Sequence, residues 1–311
     1  MKAPRGSRRY WLNLLGFLLL AGIVGYFAAV YFGASYYLAR GYTQPVRAPV
    51  CCTDPAQMGY DYEDVSFTTG DGLTIRGWYI PSRNRAAVIL LHPMASNRLG
   101  TLRHAPLFAR QGYGVLMIDV RAHGESDGDR LTFGGDEYLD VSAAVDNLQA
   151  RPEVDAQKIG VMGLSLGANF SILSAARDER IAAVVADAPG ATVFADWPRP
   201  ETAGDLLYVP FDLMFFFYLH RIDGVSSPLS IADAVGQISP RPLLLIGGTA
   251  GGETLEQRSV SQFFAAAGEP KQMWILPDTA HISGLQTHPQ AYEERVVQFF
   301  DAYLMPLGAD D

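Results

Sequence analysis

Six short, unbroken apolar runs punctuate the chain, at residues 87–91, 115–118, 159–164, 181–185, 243–246 and 273–276. Each has the length of a strand, and none alternates apolar with polar residues, so each must be covered on both faces. Stretches of helical patterning lie between them, among them 138–148, 166–176 and 260–267. Apolar strands separated by helices predict an α/β fold, a mostly parallel sheet flanked by helices. Two β-type runs at 64–68 and 73–80, joined by the turn signal Gly70-Asp71-Gly72, precede this series. The order breaks once, where residues 191–239 are inserted between two strands and carry Phe215, Phe216 and Phe217 in succession. A helical cap above the strand ends, lining an apolar pocket, is one reading of this insertion. An extra pair of packed helices or a membrane-grazing surface are the others.

A second constraint sits at the N-terminus. Residues 11–32 read WLNLLGFLLLAGIVGYFAAVYF, with Asn13 the one strongly polar member. As a helix this run is roughly 33 Å long, enough for a hydrocarbon core of about 30 Å. Tyr10 and Trp11 flank one end and Tyr31, Tyr36, Tyr37 and Tyr42 the other, where amphipathic rings favour the membrane interface. A cleaved signal peptide would have a shorter apolar region ending at small residues, and Phe32-Gly33-Ala34 is a poor cleavage site. Lys2, Arg5, Arg8 and Arg9 precede the run, whereas Arg40 and Arg47 follow it. The positive-inside rule therefore predicts a signal anchor with a cytoplasmic N-terminus and an extracytoplasmic catalytic domain. The expected division is an anchor over 1–40, a proline-bearing linker over 41–60 and a catalytic domain over 61–311.

Composition narrows the partners. A net charge of −9 excludes a nucleic-acid binder built on clustered Lys and Arg. No Cys and His cluster has zinc-ligand spacing, so neither metal nor organic cofactor is expected. The two cysteines, Cys51 and Cys52, are adjacent and cannot serve as a disulfide framework. They read as ordinary linker thiols, with lipidation or redox switching as alternatives.

The chemistry centres on Gly163-Leu164-Ser165-Leu166-Gly167, which follows one apolar run and opens a helical stretch. That setting is what a nucleophile elbow requires: small neighbours let the chain turn sharply and project the hydroxyl. The oxyanion of an acyl-transfer reaction needs two preorganised N–H groups. One belongs to Leu166, directly after the serine. The other should come from the loop that begins Leu91-His92-Pro93-Met94; Pro93 has no N–H, which leaves Met94.

Leu91-His92 with Ser96-Asn97-Arg98, then Asp119-Val120-Arg121-Ala122-His123-Gly124-Glu125-Ser126, then the elbow, then Ala280-His281 together resemble the α/β-hydrolase superfamily. The similarity is greatest to its membrane-anchored, Bem46-like and serine-aminopeptidase-like members. It spans about residues 61–304 and implies a Ser, acid, His order along the chain. Of the histidines after Ser165, His220 falls in the insertion, His288 precedes a proline, and His281 closely follows a strand. His281 is therefore the expected base. The resemblance also implies that the Asp119–Ser126 segment is structural. Two departures stand out: Pro93 replaces a customary glycine, and Gly251 occupies the place where relatives carry the acid. Glu253, two residues on, is the favoured substitute. Asp187 at the end of an earlier strand is the alternative, and an incomplete triad the third reading. The expected function is a serine hydrolase cleaving an ester or related acyl bond in a small or lipid-like substrate. A serine peptidase and a non-catalytic scaffold on the same fold are the alternatives.

Overall fold

The computed structural model describes residues 6–224, 229–250 and 254–305. Its apolar runs become the strands of one sheet: β1 (Glu63–Thr68), β2 (Thr74–Ile80), β3 (Ala87–Leu91), β4 (Gly114–Asp119), β5 (Ile159–Leu164), β6 (Ala183–Asp187), β7 (Leu243–Thr249) and β8 (Lys271–Pro277). The strand order is β1-β2-β4-β3-β5-β6-β7-β8. β2 is antiparallel to both neighbours, and every later pairing is parallel. The helices are α1 (Arg8–Thr43), α2 (Ala105–Ala109), α3 (Glu137–Gln149), α4 (Leu166–Ala175), α5 (Ala203–Asp223), α6 (Ile231–Ile238), α7 (Leu255–Ala266), α8 (Gly284–Thr287) and α9 (Pro289–Leu304).

Alternate residues of each strand feed opposite faces, as strand geometry demands. Ile89, Leu91, Val161, Val184 and Leu245 pack with Phe170 and Phe263 on one side. Leu90, Met162, Val185, Leu244 and Ile246 pack with Phe108 and Phe300 on the other. All residues of β3, β4, β5 and β6 are buried, which is why their sequences carry no polar alternation. The parallel register places Leu91 beside Gly163 and Leu164 beside Asp187. The chain therefore leaves β3, β5 and β6 along one edge, and the loops at that edge form the site.

The segment Asp119–Ser126 is a structural knot. Asp119 accepts the N–H groups of Arg98 and Glu125, and Arg121 forks onto Asp140 and Asp71. Arg47 donates to the carbonyls of His123, Gly124, Ser126 and Gly128, tying the stretch after α1 to this loop.

One boundary differs from expectation. α1 continues to Thr43, past the expected start of the linker, because its last turns are part of the packing. Ser35, Ala39 and Thr43 are buried, and the Thr43 carbonyl accepts the Leu131 N–H. The insertion contains one long helix, α5, and the shorter α6; α5 runs beside α1 and in the same direction. Tyr31 donates to the Leu207 carbonyl at 3.2 Å and Ser35 to the Phe211 carbonyl at 3.1 Å. Tyr36 meets Tyr218 and Tyr42 meets Phe215 edge to face, with centroids 5.5 and 5.4 Å apart.

Candidate active site

Ser165 sits between β5 and α4 with φ 55° and ψ −114°, a conformation that costs a non-glycine residue about 1–3 kcal/mol. The flanking glycines are forced by close approach. A Cβ on Gly163 would lie 2.0 Å from the Gly167 carbonyl oxygen, and one on Gly167 would lie 2.2 Å from that of Leu91. The Ser165 N–H donates to the Asp187 carbonyl at 2.8 Å, which pins the turn to the end of β6.

His281 lies four residues after β8, in a loop drawn tightly over β7. The Ala250 N–H donates to the Thr279 carbonyl at 3.0 Å, and that same carbonyl would stand 2.3 Å from a Cβ on Gly248. The imidazole reaches Ser165 Oγ with Nε2 at 2.8 Å and Glu256 Oε2 with Nδ1 at 2.5 Å. Serine, imidazole and carboxylate thus form a continuous chain. The Glu256 carboxylate holds the imidazole pKa above its ordinary value, against the opposing effect of partial burial. A hydroxyl donating to Nε2 requires the proton on Nδ1, and a carboxylate at Nδ1 enforces that tautomer.

The Glu256 carboxylate is itself fixed. Its Oε1 accepts the Gly248 N–H at 2.6 Å, and its backbone belongs to the first turn of α7, where Thr254 caps the helix by accepting the Gln257 N–H at 3.1 Å. Of the two acids expected from the sequence, Glu253 lies outside the described residues. Asp187 is fully buried and accepts the Tyr292 hydroxyl at 2.5 Å. Burial pushes its pKa up to about 6, with the Tyr292 hydrogen bond opposing. The carboxylate that meets His281 is Glu256, which the sequence reading missed because it started this helix near residue 260. The signal was present: Thr254-Leu255-Glu256-Gln257 has the Thr-x-x-Gln form of a helix start. A helix begun there turns residue 256 back toward the strand ends.

The remaining histidines stand apart from this chain. His92, His104 and His123 are buried, and desolvation pushes each down to about 4. The His92 Nε2 accepts the Val120 N–H. His220 approaches the Thr192 carbonyl and His288 that of Pro277. Among the described residues, the amides of Met94 and Leu166 have no protein acceptor. No group of three His, Cys, Asp or Glu side chains among those residues could hold a metal ion. Cys51 and Cys52 are free and exposed.

Comparison with known proteins agrees with this architecture. Residues 55–204 match the family model of the X-Pro dipeptidyl-peptidases, S15 family. Protein YfhR of Escherichia coli strain K12 is 29% identical over 258 residues, covering 78% of this chain and 82% of its own. Polyketide transferase ATR5 of Stachybotrys chlorohalonatus is 39% identical over 138 residues, but that match spans 43% of this chain and less than half, 46%, of the transferase. Among solved structures, the esterase Pf2001 of Pyrococcus furiosus superposes with a TM-score of 0.67 at 28% identity, covering 85% of this chain and 98% of the esterase. The sheet order, the strand–serine–helix turn and these likenesses agree: the chain belongs to the α/β-hydrolase superfamily.

Proposed function

We propose that the protein is a serine hydrolase cleaving esters or related acyl bonds through an acyl-enzyme intermediate. The observation that carries this reading is the Ser165–His281–Glu256 chain, with hydrogen bonds of 2.8 and 2.5 Å on a strained elbow. Ser165 Oγ attacks the acyl carbon while His281 Nε2 takes its proton. The Leu166 and Met94 amides receive the oxyanion, and the Glu256 carboxylate stabilises the imidazolium. His281 then returns the proton to the leaving group, and a water molecule, activated by the same imidazole, releases the acyl group and regenerates the serine. The likeness to the Pyrococcus esterase favours esters over peptides. The S15 match keeps a peptidase as the second reading, although it ends at residue 204, before Glu256 and His281.

α1 serves in this reading as an uncleaved membrane anchor. Its apolar stretch stands exposed from the domain, while one face of its C-terminal turns, at Ser35, Ala39 and Thr43, is buried against it. The helix is thus both a span and an element of the fold. Ser165→Ala tests the chemistry: hydrolysis of short p-nitrophenyl esters should be abolished with the circular dichroism spectrum unchanged. A rate equal to wild type in the purified variant would remove Ser165 from the mechanism.

A further inference from the structure

α5 has three faces, and two are accounted for. Phe211, Phe215 and Tyr218 turn toward α1, and the Leu207 carbonyl accepts from Tyr31. Phe216 and Leu219 are buried in the domain. The third face carries Leu206, Pro210, Leu213 and Phe217, a spacing of four, three and four residues that lines up on one side of a helix. These apolar residues are bare: Leu206 is 59% exposed, Leu213 45% and Phe217 53%. Asp205 and Asp212 point elsewhere. They line a cavity of about 300 Å³ together with Trp197, Tyr208, Leu255 and Arg258.

The pairing of α5 with α1 sets the height of this bare face. The thirty residues between Arg9 and Arg40 carry no charge. As a helix they span about 45 Å, which matches a bilayer of about 40–45 Å including both headgroup layers. A hydrocarbon core of about 30 Å entered at Trp11 ends near Tyr31. Tyr31 is the residue bonded to Leu207. The first turns of α5 therefore lie at the hydrocarbon boundary. On that placement Leu213 and Phe217 lie in the headgroup layer, and Arg221 follows them as Arg40 follows Tyr31, Tyr36 and Tyr37.

We propose that the bare face of α5 rests in the interfacial layer of the bilayer that holds α1, and that the substrate is an amphiphilic acyl ester entering from that leaflet. The cavity lies between α5 and the first turn of α7, where Leu255 and Arg258 line it on either side of Glu256 in the chain; Ser165, Glu256 and His281 themselves do not line it. An exposed apolar stripe beside a span is covered by lipid without further protein, since interfacial helices bury their apolar face about 5–10 Å into the headgroup and acyl boundary. The inference rests on the hydrolase and anchor readings above.

The test uses the full chain in phosphatidylcholine vesicles, with Cys51 and Cys52 replaced by serine and one spin label per protein. Labels at Leu20, Leu206, Leu213 and Gln298 are compared; Gln298 lies exposed on α9, which packs on the opposite face of the sheet. Leu20, Leu206 and Leu213 should collide severalfold more often with oxygen than with a water-soluble nickel chelate, and Gln298 should show the reverse. Aqueous behaviour at Leu206 and Leu213 with Leu20 in lipid would overturn the inference alone; Leu20 in water would overturn the anchor, and the inference with it. In the same vesicles, Leu206→Glu with Leu213→Glu should cost an order of magnitude in kcat/KM for a long-chain monoacylglycerol and leave soluble p-nitrophenyl butyrate unaffected. Equal effects on both esters would contradict delivery from the leaflet. Failure of the unaltered protein to hydrolyse either ester would instead refute the hydrolase reading, and with it the substrate class.

Discussion

Replacing Glu256 by glutamine isolates one atom of the site. The Gly248 N–H needs an acceptor and now has Glu256 Oε1 at 2.6 Å. Glutamine can satisfy it only with its carbonyl oxygen, so the amide nitrogen must face His281 Nδ1. Two donors cannot share that short contact, and the imidazole is driven to the tautomer protonated at Nε2. In that form it cannot accept the Ser165 proton. Flipping the amide would oppose its nitrogen to the Gly248 N–H instead, at a cost of about 1–3 kcal/mol for the unsatisfied donor. Loss of tautomer control in a catalytic triad lowers kcat on the order of 10³–10⁴-fold, about 4–5.5 kcal/mol of transition-state stabilisation. The pH profile supplies a second readout. His281 must be neutral to act as base, so activity falls as the pH drops through its pKa. Glu256 raises that pKa, so the residual activity of Glu256→Gln should show an acid limb displaced to lower pH. Glu256→Asp, which keeps the charge, should lose less. The assay is p-nitrophenyl butyrate hydrolysis across pH, beside Asp187→Asn and Glu253→Gln. Near-normal kcat in Glu256→Gln, with a large loss in either of the other two, would refute the assignment.

Two further outcomes are expected. Ser165→Gly removes a side chain from a positive-φ position, relieving about 1–3 kcal/mol of strain against about 0.5–1 kcal/mol of added chain entropy; a net gain near 1 kcal/mol should raise Tm by about 2–4 °C while abolishing activity, and a lower Tm would show that the elbow is not strained. A periplasm-active reporter fused after Leu304 should be active in a bacterial host, because the basic residues crowd the N-terminal flank of α1; activity confined to a cytoplasm-dependent reporter would reverse the orientation.

The strands were legible because burial on both faces leaves a local mark. Val161 or Leu245 can be placed from its neighbours alone. Ser165 was legible for the same reason, since Gly163 and Gly167 record in sequence the close approaches that GLSLG makes in space. The acid was harder. The family position at Gly251 pointed to Glu253, two residues on, whereas the carboxylate that meets His281 in the structure is Glu256, carried there because α7 begins at Leu255. The union of α1 with α5 left no local trace at all. Tyr31 and Leu207 are 176 residues apart, and the apolar residues that pair the two helices look in sequence like those that face lipid.

The central claim is that Ser165 is an activated nucleophile, and covalent labelling tests it most directly. A fluorophosphonate probe should modify the full-length protein at one site, the Ser165 peptide identified by mass spectrometry. The label should be lost in Ser165→Ala and strongly slowed in His281→Ala, with both variants folded. Failure of the folded wild-type protein to react, or labelling that persists in Ser165→Ala, would contradict the account.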